Sequence, residues 1–166
     1  MTVERTVLIA TWIIFPLFLL KFVPKERYRE MIAVFLFFQT LTWLYSIGLT
    51  YFGLLSAPIR EFPNATKINF SVEYIVFPTA AVFFQLTYPE KKGKVRRIFH
   101  YMYWVGAILL FMFLIGKSTE LMTVKPGNLL RSSCNFTIEL LLCRRYIEWL
   151  LKGKPFSDRK AGVNQL

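Results

Sequence analysis

The feature that most constrains this chain is a stretch of 29 residues, 31–59, that contains no charged side chain. The hydrocarbon core of a bilayer is about 30 Å thick, and a helix of about 20 apolar residues crosses it. Three further stretches, 6–20, 68–88 and 98–116, are similarly apolar, with Glu73 the only charged residue among them. The pattern predicts an all-α fold, a polytopic transmembrane helical bundle.

The charged residues are gathered between these apolar stretches. The chain is 55% hydrophobic and carries 21 Lys and Arg against 10 Asp and Glu, for a net charge of +11. A positive charge of this size can indicate nucleic-acid binding. Here the basic residues flank apolar runs and form no separate arm, so we expect no nucleic-acid partner. The pattern instead favours membrane lipids as partners, with anionic headgroups held at basic inner loops.

Five spans are predicted within a transmembrane helical domain, residues 1–152, which is followed by a short polar cytoplasmic tail, 153–166. The fifth span is the least apolar because it includes Arg131 and Glu139. An ionised side chain at a helix centre costs about 2.5–3.5 kcal/mol on insertion scales. Hydropathy alone therefore does not decide between four and five spans. The predicted spans are about 6–23, 31–56, 68–88, 98–116 and 128–145.

The distribution of Lys and Arg decides between these topologies. With five spans and the N-terminus outside, 15 of the 21 basic residues lie inside and six outside, whereas four spans give 12 and nine. Cytoplasmic loops carry the excess of positive charge, so the sequence predicts five spans, N-out and C-in. After Cys143, the residues RRYIEWLLKGK form a basic amphipathic pattern. We expect this segment to lie on the inner leaflet.

Three of the predicted spans carry polar residues at helical spacing. Residues three or four apart share one face of a helix. Polar faces turn toward neighbouring helices and away from lipid. The residues that form the candidate intramembrane polar or ion site are Gln39 on the second span, Asn69 and Glu73 on the third, and Asn135 and Glu139 on the fifth.

Glu73 and Glu139 are the two acidic residues within the predicted spans. An ionisable residue inside a membrane is expensive to keep there and is a functional hypothesis by default. The functional interpretation is a proton or cation pathway. The structural interpretation is interhelical hydrogen bonding, with each acid neutral or paired with an arginine. Arg60 and Glu61 form a candidate outer-loop element, since prolines hold this loop extended and Arg60 is then within reach of Glu73.

The sequence gives no support for enzyme chemistry. Asp158 is the only Asp and lies in the polar tail, so a pair of intramembrane Asp residues is absent, as are G-x-S-x-G and H-E-x-x-H motifs. Cys134 and Cys143 are nine residues apart and face opposite sides of one helix. His100, the only histidine, lies beside arginines at the inner interface, where packing or headgroup positioning is the expected role. We expect no catalytic residue, no metal and no cofactor.

Three stretches of the chain resemble a known family: PIREFPNATK at 58–67, VEYIVFPTAAVFFQLTYP at 72–89 and RRYIEWLLK at 144–152. The family consists of small multi-pass membrane proteins from spore-forming Firmicutes. The likeness covers most of the chain from about residue 19 to residue 152. The resemblance implies a location in the bacterial plasma membrane, and it implies no activity.

Three functions are compatible with these residues. The first, which we expect, is a non-enzymatic accessory or interaction protein whose partner is another membrane protein or a second copy of the chain. The second is a small proton- or cation-coupled transporter or channel that uses the intramembrane Glu residues. The third is an enzyme that acts on lipid at the inner face near His100.

Overall fold

The computed structural model describes residues 3–53, 70–118 and 126–151, and these residues are helical with no strand. The predicted all-α fold is therefore confirmed. A 3-10 turn, Lys25–Arg27, follows the first helix, and a π-helical turn, Val72–Val76, leads directly into the third. The five α-helices are α1 (Val3–Phe22), α2 (Tyr28–Tyr51), α3 (Phe77–Leu86), α4 (Lys94–Ser118) and α5 (Pro126–Leu150).

The end of α2 differs from the predicted segment, which continued to residue 56. The helix ends at Tyr51, and Gly53 adopts φ +68°, a left-handed conformation that glycine reaches without a steric penalty. The Phe52 amide donates to the Gly48 carbonyl at 3.2 Å, which caps the last turn. A glycine in this conformation just after the last turn is a common way to end a helix.

A π-turn precedes α3 because of Pro78. Proline has no backbone N–H, and its ring clashes with the carbonyl four residues earlier in a regular α-helix. That carbonyl belongs to Tyr74, within the π-turn Val72–Val76. The wider π geometry provides room for the ring without breaking the helix. Pro16, by contrast, lies inside α1, which continues to Phe22.

The helix α3 and its π-turn occupy the centre of the bundle. The π-turn packs against α1 and α2, and α3 packs against α2, α4 and α5. Nearly every residue from Ser71 to Gln85 is buried, including Phe84 at 0% exposure. The predicted spans gave no sign of this central position, since the third span is no more apolar than its neighbours.

Helices α1 and α3 run in the same direction. The Trp12 ring stacks on Phe70 at 6.0 Å, and ten residues further along α1 Phe22 meets Phe83 at 6.1 Å. Short connections join α1 to α2 and α3 to α4, which makes the helices within each pair antiparallel.

Helix α5 runs parallel to α3, because Phe77 lies 4.9 Å from Phe136 and, eight residues later, Gln85 meets Arg144. The helices therefore alternate in direction along the chain, as the predicted topology requires. One end of the bundle, here called the basic end, collects the 3-10 turn, residues 87–93 and the C-terminal turns of α5 from Arg144.

The described part of the segment after Cys143 continues α5 to Leu150 and packs against α2, where the sequence predicted an extension lying on the inner leaflet. Ile147 is fully buried, and the Tyr146 ring stacks on Phe37 of α2 at 4.0 Å. Trp149 is exposed, so the segment is amphipathic as predicted. Its apolar side faces the protein core because α5 does not bend at Cys143.

Large apolar side chains cover the outside of the bundle. Exposed examples occur on α1, α2, α4 and α5, including Leu17, Leu44, Met102 and Leu142. A soluble monomer rarely exposes an apolar patch of more than a few hundred Å². The buried polar side chains include Thr42, Ser46, Ser71, Glu73, Thr79, Gln85, Glu139 and Arg144.

Two helical stretches, Lys25–Tyr51 and Lys94–Lys117, are long and apolar enough to cross a membrane. The apolar helices Thr6–Phe22 and Val72–Leu86 are shorter. Only 22% and 11% of the apolar windows of the two long stretches are buried, so most of their side chains are at least partly exposed. A core helix in a soluble protein is mostly buried. Length and composition therefore account for two of the five predicted spans.

The substitution Phe38→Ala tests the packing of α2. Phe38 is fully buried, whereas Leu36 on the same helix is 54% exposed. Phe38→Ala is expected to lower the free energy of unfolding by about 3–5 kcal/mol, because it removes buried apolar surface and leaves a cavity. Leu36→Ala is expected to cost less than about 0.5 kcal/mol. Equilibrium unfolding in mixed micelles measures both, and equal losses would contradict this placement of Phe38.

Candidate functional site

Two acidic side chains that are far apart in the sequence come together in the interior of the bundle. Glu73 lies in the π-turn and is 7% exposed, and Glu139 lies on α5 and is 3% exposed. Ser46 of α2 forms a side-chain hydrogen bond with Glu73, and the two carboxyl groups interact electrostatically. Three elements thus contribute one hydroxyl and two carboxyl groups to one buried region of the bundle, here called the acid pair site.

The carboxyl oxygens of this site are incompletely satisfied. Among the described residues, neither Oε2 of Glu73 nor either carboxyl oxygen of Glu139 has a hydrogen-bond partner. Leaving a buried polar group without a partner costs about 1–3 kcal/mol. A proton or a monovalent cation placed between the two groups would reduce this cost. The arrangement therefore has the chemistry for holding a small cation.

Asn135 and Gln39 occupy different positions relative to this site. Asn135 lies one turn before Glu139 on α5 and interacts with its carboxyl group. The two side chains do not form a hydrogen bond of regular geometry. Gln39 is partly buried on the same face of α2 as Ser46. It lies about 10 Å closer to the basic end, since seven residues separate it from Ser46. The structure thus brings Asn135 to the acid pair and leaves Gln39 apart.

The remaining predicted site residues, Asn69, Arg60 and Glu61, lie outside the described residues. The proposed pairing of Arg60 with Glu73 therefore stays a prediction. What the structure adds is that Glu73 already has a partner in Ser46 and a second carboxyl group close by.

A second polar network, centred on Arg144, lies at the basic end. Arg144 is 9% exposed. Its Nη2 donates to Glu90 at 3.1 Å, its Nη1 to Gln85 at 3.4 Å and its Nε to Glu148 at 2.9 Å. Its guanidinium carbon lies 4.2 Å from the centre of the Tyr88 ring. This one side chain links α5 to α3 and to the connection between α3 and α4.

Arg27 and Glu30 extend this network to the start of α2. Arg27 and Glu30 form an ion pair at 3.8 Å, and Glu30 is buried. Arg27 also interacts electrostatically with Glu90 and Arg144. Sequence reasoning missed the network because Arg144 lies 54 residues from Glu90, and no local pattern pairs them. The sequence did carry one signal: Arg144 lies next to Cys143 and three residues before Ile147, on the face of α5 that these two buried residues share.

His100 lies in an aromatic cluster near the basic end. Its Nε2 is 3.0 Å from the Phe84 carbonyl oxygen, and its ring lies 4.9 Å from the Phe84 ring. Tyr88 and Trp104 also contact it. The contacts of His100 are those of a packing residue that binds a backbone carbonyl.

Within the described ranges, no group of three or more His, Cys, Asp and Glu side chains could hold a metal ion. Cys143 is buried and Cys134 is exposed, in agreement with the opposite faces predicted for them.

Comparison with known proteins gives no relative for this chain. No protein-family model matches it, and no match is found among curated proteins or among solved structures. Its function therefore has to be argued from the residues and their geometry.

The two neighbouring arginines 144 and 145 provide a test of the basic-end network. Arg144→Ala is expected to lower the free energy of unfolding by about 3–5 kcal/mol, because Glu90 and Gln85 are left without their partner in a buried position. Arg145 is exposed on the same turn, so Arg145→Ala is expected to change it by less than about 0.5 kcal/mol. Chemical unfolding in detergent compares the two variants. Similar losses would show that the network does not stabilise the fold.

Proposed function

We propose that the protein is an integral multi-pass membrane protein of the bacterial plasma membrane, in which all five helices cross the bilayer. One observation carries this proposal: the outside of the bundle is apolar, and polar side chains of the helices are buried inside among the apolar core. Among the residues that the structure describes, ten polar or charged side chains are buried, while large apolar side chains on α1, α2, α4 and α5 are exposed. Such a surface is stable where lipid tails are the solvent.

Helix lengths are compatible with five crossings. α1 has 20 residues and α5 has 25, which correspond to about 30 and 38 Å at 1.5 Å per residue. The π-turn and α3 together are shorter, but they are surrounded by the other helices and need little contact with lipid. Glu139 and Arg144 lower the hydropathy of α5, yet both are buried against protein.

The distribution of charge supports the N-out, C-in orientation. The basic end collects the first connection, the third connection and the C-terminal turns of α5, and 15 of the 21 Lys and Arg belong to these segments, to the helix ends that flank them or to the tail. Positive charge of this kind is retained on the cytoplasmic side. The same residues would hold anionic headgroups there. The resemblance to the Firmicutes membrane-protein family points to the same location.

Reporter fusions test the proposed topology. Fusions after Lys125 and after Lys154 are expected to report opposite sides of the membrane, because α5 lies between them. A fusion after Gly93 serves as the control and should report the same side as Lys154. Lys125 and Lys154 on the same side would remove α5 as a span.

We further propose that the protein acts as a non-enzymatic accessory or interaction protein. Several polar groups of the interior bond between elements of the bundle: Trp12 to Ser71, Ser46 to Glu73 and Arg144 to Gln85. Beside the acid pair, Leu140 is fully buried, and Phe77 and Phe136 pack at 4.9 Å. A tightly packed interior is suited to presenting a stable outer surface to a membrane-protein partner or to a second copy of the chain.

The alternative is a small proton- or cation-coupled transporter or channel, and the acid pair site is the observation that favours it. Two buried carboxyl groups with unpartnered oxygens meet beside a π-turn. Single π-turns inside helices are frequent at functional sites. Intramembrane acids that face a bundle interior mark proton and ion pathways in many pumps and transporters.

Flux measurements in vesicles distinguish the two roles. For a transporter, Glu73→Gln and Glu139→Gln are each expected to abolish a proton- or cation-dependent flux while the yield of folded protein stays unchanged. For an accessory protein, the wild type should show no flux above that of empty vesicles, and both substitutions should mainly lower the folded yield.

Glu26→Gln is the control, since Glu26 is exposed in the 3-10 turn. This variant should match the wild type in yield and in flux. A Glu73→Gln protein with normal yield and unchanged wild-type flux would count against both roles for the acid pair.

A further inference from the structure

A second feature of the bundle is a half-open cavity of about 250 Å³ lined by α1, α3 and α4. Aromatic rings form most of its wall, and Ala107 of α4 and Thr79 of α3 complete it. None of the lining residues that the structure describes is charged. The aromatic residues are Phe15 and Phe18 from α1, Phe77 and Phe83 from α3, and Trp104 and Phe111 from α4.

The hydroxyl group of Thr79 is the polar feature of this cavity. Thr79 is 1% exposed, and its Oγ1 has no hydrogen-bond partner among the described residues. Four described threonines donate to the carbonyl oxygen four residues earlier, at 2.6–2.9 Å, whereas Thr11 donates to Leu8 and the buried Oγ1 of Thr50 has no described partner, as in Thr79. A buried polar atom without a partner requires an explanation. The threonines that form the usual bond are Thr40, Thr42, Thr87 and Thr137.

The π-turn explains why Thr79 differs from these threonines. The carbonyl that its hydroxyl would reach in a regular α-helix belongs to Ile75, within the π-turn Val72–Val76. A π-turn displaces its carbonyls from the positions they take in an α-helix, because its bonds span five residues. The hydroxyl of Thr79, a residue that lines the cavity, is thereby left without a partner in its own helix.

We propose that this aromatic cavity binds a neutral, lipid-soluble molecule with a ring-sized head that carries a carbonyl or hydroxyl oxygen. Aromatic walls favour stacked or edge-to-face contacts with a planar ring. The Thr79 hydroxyl supplies the one hydrogen bond that fixes its orientation. A cavity of about 150 Å³ holds benzene, so 250 Å³ accommodates a bicyclic ring. Quinones and phenols both have this chemistry.

The surroundings of the cavity favour an uncharged ligand that arrives from lipid. Phe18 is 49% exposed, so the wall extends to the apolar outer surface of the bundle. An ion would lose its hydration without finding an opposite charge on the described wall. The route of entry rests on the proposed membrane location, whereas binding itself does not. A binding test in detergent therefore remains informative if the topology proposal fails.

Three probes and one isosteric substitution test the site: 1,4-naphthoquinone, 2-naphthol and naphthalene, each titrated into purified protein with empty micelles subtracted. The wild type is expected to bind all three. Thr79→Val should weaken binding of an oxygen-bearing probe about three- to tenfold, because one hydrogen bond is lost. Naphthalene should bind wild type and Thr79→Val equally. If Thr79→Val loses affinity for naphthoquinone alone, the ligand is a hydrogen-bond acceptor. If it loses affinity for naphthol as well, phenols are also ligands.

Two measurements keep this result separate from misfolding. Without ligand, Thr79→Val is expected to be at least as stable as the wild type, since the hydroxyl it removes has no protein partner. Thr40→Val is the matched control. The hydroxyl group of the exposed Thr40 donates to the Leu36 carbonyl of its own helix, and Thr40 lies away from the cavity. It should leave the affinity of every probe unchanged.

A cavity-filling substitution locates the bound probe. Ala107→Leu is expected to abolish binding of all three molecules, because the added atoms occupy the space of the ring. The proposal is overturned if the wild type binds none of the probes or if Thr79→Val leaves the affinity for both oxygen-bearing probes unchanged. It is also overturned if Ala107→Leu binds the probes as the wild type does.

Discussion

The central helix carries polar groups into surroundings that cannot hydrate them, and the rest of the bundle is arranged around this constraint. Burying a polar group without a hydrogen bond costs several times more than a single good hydrogen bond returns. The π-turn and α3 present Glu73, Thr79 and Gln85, each buried. The surrounding helices provide a hydrogen-bond partner for two of these three side chains: Ser46 of α2 binds Glu73, and Arg144 of α5 binds Gln85.

Helix α5 has a larger part in this arrangement than its composition suggests. It brings Glu139 to the acid pair and Arg144 to the basic end, five residues apart along one helix. Both belong to the charged residues, Arg131 among them, that make it the least apolar of the predicted spans. In the structure both are buried, and the outer face carries apolar side chains such as Ile138 and Leu142. Polar residues placed on one face of a helix allow it to be polar by composition and apolar toward its surroundings.

Sequence reasoning recovered the elements of this fold and part of its site. Apolar runs and the distribution of Lys and Arg predict five helical segments, and the five helices of the described residues lie within them or extend them by a few residues. Helical spacing placed Glu73 and Glu139 on faces that turn inward, which the burial of both residues bears out. These features depend on local periodicity, which a single sequence displays.

What the sequence could not reveal depends on contacts between distant segments. Periodicity assigns a face to each helix but does not say which helix occupies the centre, so the role of α3 was not foreseen. The segment after Cys143 shows the same limit. Its amphipathic pattern was recognised, but an apolar face can pack against lipid or against protein. Only the structure shows that α5 continues past Cys143, so that this face packs against α2. The Arg144–Glu90 contact is likewise invisible in either local sequence.

The π-turn connects the two candidate ligand sites of this molecule. Pro78 requires a local departure from α-helical geometry, and the π-turn provides it over Val72–Val76. Glu73 lies within that turn and faces α2 and α5, while Thr79 follows it and faces the cavity between α1 and α4. A regular helix would offer Thr79 the Ile75 carbonyl as a partner, and the hydroxyl would then be unavailable to a ligand. The proline that bends the backbone thus also leaves a polar group unsatisfied in an apolar interior. Such a group is retained at a cost in stability, and a ligand that binds it removes that cost.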